Sequence, residues 1–150
     1  MQSTRLEELR EEHNLTKKEI AKILKVSTSI YCRWENDKDS IPTTRLNELA
    51  NFYKINIDYI LKLTNKKISM QEHNINKKIV SERTRELRTD MKYTLRDIAK
   101  ILNTTSSTWC AYETGKTLIL SSFLIKICQA SNTSADWLLG RTNIKKNVDN

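Results

Sequence analysis

The sequence predicts an all-α protein made of two tandem five-helix domains joined by a short linker, and three observations carry that reading. First, the chain repeats itself: sliding it by 78 positions, without a gap, lays Arg5 on Arg83, Leu9 on Leu87, Arg10 on Arg88 and Thr16 on Thr94. The same shift lays Ile20-Ala21-Lys22-Ile23-Leu24 on Ile98-Ala99-Lys100-Ile101-Leu102, Cys32 on Cys110, Glu35 on Glu113, Asp58 on Asp136 and Thr64-Asn65 on Thr142-Asn143. A repeat of about 60 residues is too long for a solenoid unit and long enough for a small domain. Second, 2 Gly and 1 Pro in the whole chain leave few tools for strand hairpins, while 29% of residues are charged. Third, apolar residues recur at helical spacing in both copies. The predicted boundaries are a first domain over 1–65, a linker over 66–78, a second domain over 79–143 and a frayed tail over 144–150.

In the first copy, Leu6, Leu9 and His13 recur at helical spacing, with Arg5, Glu7, Glu8, Arg10, Glu11 and Glu12 on the solvated faces. Thr16 with Glu19 three residues on is a capping box, so a second helix starts there and runs through Leu24, with Ile20, Ile23 and Leu24 on its apolar side. Lys25-Val26 turns the chain, and Ser27 caps a third helix over Thr28 to about Glu35 that buries Ile30 or Tyr31, and Trp34. The polar loop Asn36 to Ser40 ends at Pro42, and Thr43 caps a fourth helix with Leu46, Leu49, Ala50 and Tyr53 inward. Ile55-Asn56-Ile57-Asp58 opens a short fifth helix. The second copy follows suit: Thr94 with Asp97 forms the capping box, Asn103-Thr104 the turn, and Thr105 the next cap. Residues 66–78 are polar without a period; fully extended, they reach about 40 Å.

Composition narrows the function. The net charge of +8 favours a polyanionic partner. No run approaches a membrane span, and Met1 to Glu7 has no apolar signal core. Three cysteines without paired spacing point to reduced thiols in the cytoplasm. His13 and His73 stand apart, so no zinc set forms; no phosphate loop, nucleophile elbow or His–carboxylate constellation appears. The expectation is no enzyme, no metal and no cofactor.

A capped helix, a short turn and a second capped helix make a helix-turn-helix, whose second helix enters the major groove. Leu15-Thr16-Lys17-Lys18-Glu19-Ile20-Ala21-Lys22-Ile23-Leu24-Lys25-Val26-Ser27, followed by Tyr31-Cys32-Arg33-Trp34-Glu35-Asn36, resembles the Cro/C1-type (XRE-like) family of bacterial and phage repressors. Asp58-Tyr59-Ile60-Leu61 and Asp136-Trp137-Leu138-Leu139-Gly140-Arg141-Thr142-Asn143 resemble the family's closing segment. The resemblance covers both copies and implies two lambda-repressor-like helix-turn-helix domains. It also implies a sequence-specific, double-stranded-DNA-binding transcriptional regulator acting as a repressor. By that resemblance, Thr28, Ser29 and Arg33 face base edges, Arg33 being able to bond guanine O6 and N7 together. Lys17, Asn36 and Lys38 grip phosphate, with Arg45 adding a contact. Arg10 with Glu35, and Arg88 with Glu113, form structural ion pairs. The family's turn Gly is Lys25 and Asn103 here; Asn accepts a left-handed backbone more readily than Lys.

The second copy is poorer in contact chemistry. Lys17 becomes Leu95, Arg33 becomes Ala111 and Arg45 becomes Phe123, and the recognition segment Thr105–Tyr112 carries no charge. Two readings stay open: a degenerate half-site read through Arg96, Ser106, Ser107 and Lys116, or a dimerisation or effector-protein module. Trp34, Tyr59, Tyr112 and Trp137 read as core, Trp109 as buried rather than stacking, Cys32 and Cys110 as half-buried and Cys128 as packed. Homodimerisation or intramolecular domain pairing would supply a second DNA contact. The alternative function is a protein-interaction module, an antitoxin or anti-repressor subunit, using the same fold to bind a protein.

Overall fold

In the computed structural model, which describes residues 3–147, the chain divides into two compact units, one ending at His73 and the other beginning at Asn74. The first holds α1 (Leu6–Glu12), α2 (Lys17–Ile23), α3 (Thr28–Glu35), α4 (Thr43–Tyr53) and α5 (Ile57–Ile60). The second holds α6 (Lys77–Asp90), α7 (Leu95–Ile101), α8 (Ser106–Thr114), α9 (Ser121–Ser131) and α10 (Ala135–Leu138). The fold is all-α, with five helices per unit among the described residues.

Capping sets these boundaries. Thr16 Oγ1 accepts from Glu19 N at 3.1 Å while Glu19 returns a bond to Thr16 N at 2.9 Å, and Thr94 with Asp97 does the same. Those bonds hold both carboxyls below their usual range. Ser27 accepts from Ile30 N and Thr105 from Thr108 N, each at 3.1 Å, starting α3 and α8. The fourth helix starts differently from the expectation: Pro42 is its N-cap, and Thr43 is the first helical residue and buried. A proline at that place lacks the N–H that would otherwise go unpaired.

Five left-handed backbone positions recur in register: Asn14 and Lys92, Lys25 and Asn103, Asp37 and Gly115, Lys54 and Asn132, Lys62 and Gly140. Each ends a helix. Val26 N bonds Ala21 O and Lys25 N bonds Lys22 O, the double closure of a Schellman end, and Thr104 and Asn103 repeat it on Ala99 and Lys100.

The first core gathers Leu6, Leu9, Ile20, Tyr31, Leu46, Leu49, Ile57 and Ile60; the second gathers Leu87, Ile98, Trp109, Ile119, Leu124, Ile127 and Leu138. Of the alternatives on α3, Tyr31 is buried and Ile30 is 45% exposed. Tyr59 is half-buried, with the Arg5 guanidinium 4.0 Å over its ring, rather than fully in the core. The cores balance volume by paired exchange: Tyr31 and Tyr53 in one unit, Trp109 and Ser131 in the other. Both tyrosine hydroxyls are buried, and burial pushes both up, with the Glu35 carboxylate adding to the rise. Trp109 instead donates Nε1–H to Glu113 Oε2 at 2.8 Å.

The stretch expected as a free linker is tied down over its first half. Asn56 donates to Lys66 O at 3.1 Å and accepts from Ile68 N at 2.9 Å, Asn56 N bonds Ile68 O, and Ile55 bridges Ser69. Asn47 and Asn51 both donate to His73 O at 2.9 Å. The tail departs likewise from the expected fraying: Ser134 N bonds Lys145 O, Thr133 bridges Lys146, and Lys145 pairs with Glu86 and Asp90. Unpaired backbone beside α5 and α10 supplies the partners. Lys67 repeats the theme with Glu12 at 3.0 Å, so the repeat runs past Asn65 and Asn143. The final residues of the expected tail, 148–150, lie outside the described residues.

Candidate nucleic-acid interface

Helix α3 is held from three sides. Arg10 on α1 donates Nε–H to Glu35 Oε2 at 2.7 Å and Nη2–H to Oε1 at 3.4 Å, and its Nη1 closes on Leu15 O at 3.0 Å. One guanidinium thus fixes the end of α3 and the turn between α1 and α2. Glu35 is 1% exposed, and its hydrogen bond raises the Arg10 pKa above its ordinary value. Arg88 and Glu113 repeat this at 2.6 and 3.0 Å, with Arg88 Nη1 on Tyr93 O. On the second side, the Schellman end of α2 sets the angle between α2 and α3. On the third, Arg45 Nη1 donates to Leu24 O at 3.0 Å and pairs with Glu48 at 3.1 Å. Arg45, expected at a phosphate, is thus half-buried and engaged on the turn.

On that frame the outer face carries the predicted contact residues. Thr28, Ser29 and Arg33 are exposed on α3, and Lys17 is half-buried at the first position of α2. Asn36 is the C-cap of α3; Asp37 turns left-handed, and Lys38 N then closes on Arg33 O at 2.8 Å, so the backbone carrying Lys38 is fixed by the helix end. Arg33 does not stand free. Its Nε–H donates to Asp39 Oδ2 at 2.5 Å and its Nη2–H to Oδ1 at 3.2 Å, which holds the Asp39 carboxyl below its usual range. That fork is the geometry a guanidinium also offers a phosphate or a guanine edge.

Sequence reasoning missed three participants. Asp39, read as loop, is the partner of Arg33. Ile30, on the same helix as Thr28 and Ser29, is exposed enough to meet a thymine methyl. Asp37, also read as loop, accepts from Ser3 N at 2.8 Å, tying the loop after α3 to the start of the chain. The helix buries Tyr31, Trp34 and Glu35, a stripe of i, i+3 and i+4 that leaves Ile30 outside it.

In the second unit the counterparts border one open hollow of about 410 Å³, lined by Leu95, Ser106, Ser107, Cys110, Ala111, Thr114 and Lys116. In the gapless register these are the positions of Lys17, Thr28, Ser29, Cys32, Arg33, Asn36 and Lys38. The six proposed contact positions therefore lie around a single concavity, here with one cation and no acid. Arg96 is exposed on α7 and stands outside the hollow's lining.

A family model described as "Helix-turn-helix domain" matches residues 4–66 and again 81–144. The chain belongs to the helix-turn-helix domain family. Its two family matches coincide with the two units just described. The chain is also similar, at 36% identity over 64 residues, to a protein of Bacillus subtilis (strain 168) named "Uncharacterized HTH-type transcriptional regulator YobD". That alignment covers 43% of this helix-turn-helix chain and 57% of the relative. No solved structure matches the chain.

Proposed function

We propose that the chain is a sequence-specific, double-stranded-DNA-binding transcriptional regulator, a cytoplasmic repressor, whose first unit lays α3 in the major groove. The observation that carries the reading is the outer face of α2 and α3. It presents Thr28, Ser29, Ile30 and Arg33 to solvent, flanked by Lys17, Asn36 and Lys38, on a helix anchored at its far end by Arg10–Glu35. Thr28, Ser29 and Arg33 read base edges, and Ile30 meets thymine methyls. Lys17, Asn36 and Lys38 hold phosphates and set register; Arg45 positions the turn and reaches phosphate only on leaving Glu48. The Arg33–Asp39 fork opens on binding, as Arg33 exchanges one anionic partner for a guanine edge. Pairing of the two units, or of two chains, adds a second contact and raises affinity through effective concentration. The name of the Bacillus subtilis relative fits this role.

The test is binding of the full chain to duplexes recovered by in vitro selection, followed by fluorescence anisotropy across salt. Affinity for the recovered site should fall steeply with salt, with a slope set by the phosphates neutralised. No recovered site, or binding indifferent to salt and to changes at Arg33 and Lys38, overturns the proposal.

A second reading is carried by the hollow over α7 and α8, whose one cation is Lys116. There Leu95 and Ala111 replace two cations, so this face suits a protein surface better than a phosphate backbone. Binding that stays intact when Ser106 and Lys116 are changed would favour that reading for the second unit.

A further inference from the structure

The second unit has another concavity that shares no lining residue with the first, between α9 and the α6–α7 corner: a hollow of about 240 Å³ lined by Met91, Tyr93, Ile101, Ile127 and Ala130 together with Lys126. The first unit shows what this place holds when filled. In register, Met91 is His13 and Ala130 is Phe52, and the Phe52 ring lies 6.5 Å from the His13 ring and 5.0 Å from Tyr53. In the second unit Trp109 takes up the volume of Tyr53 and Tyr93 stands where the first unit has Leu15, but the His13 and Phe52 rings are gone, with Met91 and Ala130 in their places. Removing a phenyl ring from a helix face leaves a void of ring size with an apolar floor. Ile101 beside it is 54% exposed, an apolar rim left open to water.

The rim has changed sign as well. Glu48 of the first unit, paired with Arg45, becomes Lys126, while Arg45 becomes Phe123. Lys126 is exposed and has no anionic partner among the described residues. A ring-sized apolar slot next to an unpaired ammonium recognises one chemistry: a flat apolar body with an acidic group at its end.

We propose that this hollow is a binding site for a small aromatic carboxylate, the ring seated against Ala130, Met91 and Ile101 and the carboxylate on Lys126. Met91 supplies a polarisable sulfur to the ring edge. The volume admits one or two fused rings and excludes a folded peptide. Buried ring area holds the ligand, and the cation fixes its orientation. The site is distinct from α8's outer face and stands whether or not the chain binds DNA.

The experiment titrates the full chain with 3-phenylpropionate, indole-3-acetate and the charge-reversed control phenethylamine, followed by nuclear magnetic resonance shifts of Met91 and Ala130 methyls. Saturable binding of the carboxylates below about a millimolar, with the amine at least tenfold weaker, is expected. Ala130→Phe, which restores the ring of the first unit, should abolish binding while the thermal unfolding midpoint holds or rises. Lys126→Glu should leave the fold intact and reverse the preference toward the amine. Absence of saturable shifts, or binding that survives Ala130→Phe, overturns the proposal. So does a concentration-dependent dimer that Ala130→Phe dissolves, since the hollow would then belong to a second copy.

Discussion

The first and second units share five left-handed turn positions, the Arg–Glu bridge between their first and third helices, and an arginine at the start of each that ties down the closing segment. Arg5 donates to Tyr59 O, Thr64 O and Asn65 Oδ1, and Arg83 to Trp137 O, Thr142 O and Asn143 Oδ1. On the exposed face of the third helix they agree at little beyond Ser29 and Ser107. What is common closes backbone ends or pairs buried charge, where a lost partner is expensive. What differs faces solvent, where a change of side chain alters only what is touched. The comparison thus separates the residues that make the fold from those that choose its partner.

The sharpest break comes from the shared bridge. Glu113→Ala strands the Arg88 guanidinium and the Trp109 indole N–H together, whereas Glu35→Ala strands Arg10 with no indole N–H beside it, position 31 being Tyr. Both should destabilise their units, by about 3–5 kcal/mol for a buried pair, with the Glu113 change the larger. Urea unfolding of the full chain, read at tryptophans of each unit, separates them; equal losses would mean the indole bond adds nothing.

Next is the exchange of reading residues. Arg33→Ala should lower discrimination against a changed guanine by about 1–3 kcal/mol, while Lys38→Ala should weaken all sequences alike and reduce the salt slope by about one. Ala111→Arg puts a guanidinium into the hollow of the second unit and should extend the footprint if that face lies on DNA. An unchanged footprint would assign the face to a protein.

A smaller effect separates the turns. Lys25, Lys54 and Lys62 hold left-handed angles where the second unit has Asn103, Asn132 and Gly140. Lys62→Gly should stabilise the first unit by about 0.4–1 kcal/mol by relieving the side-chain penalty at that angle. The reverse, Gly140→Lys, should cost more, because a Cβ there would come within 3.2 Å of Ile79 Cγ2. Thermal midpoints of the two single variants check this; a loss on Lys62→Gly would show that the lysine side chain contributes through a contact of its own.

The smallest expected change concerns Asp39, whose partner Arg33 has no counterpart cation in the second unit. Asp39→Asn frees Arg33 without removing it and should tighten DNA binding a few-fold at most. Because the bridge holds the Asp39 carboxyl below its usual range, the fork persists as pH falls through ordinary carboxylate values and opens only below them. Affinity measured between pH 6 and 8 should therefore show no contribution from this group, and a slope there that Asp39→Asn removes would overturn the assignment.

Helical period, capping boxes and the repeat made the ten helices of the described residues legible, and the Arg10–Glu35 and Arg88–Glu113 pairs followed from family resemblance. Three things were not legible. Arg45 reads as a free cation in sequence, but its head is taken up by Leu24 O at the end of α2 and by Glu48. Asp39 lies six residues beyond Arg33, a spacing that is nothing on a helix and becomes a contact only because Asp37 reverses the backbone between them. Residues 66–73 have no period because most of their hydrogen bonds go back to Asn47, Asn51, Lys54 and Asn56.

That strap decides where the two halves can be cut apart. A fragment stopped at Asn65 would strip Asn56 of both partners and deprive Asn47 and Asn51 of a shared acceptor, so its fragility would be mistaken for weakness of the domain. One extended to His73 keeps every such bond, and only it gives a fair measure of how well the leading half stands alone.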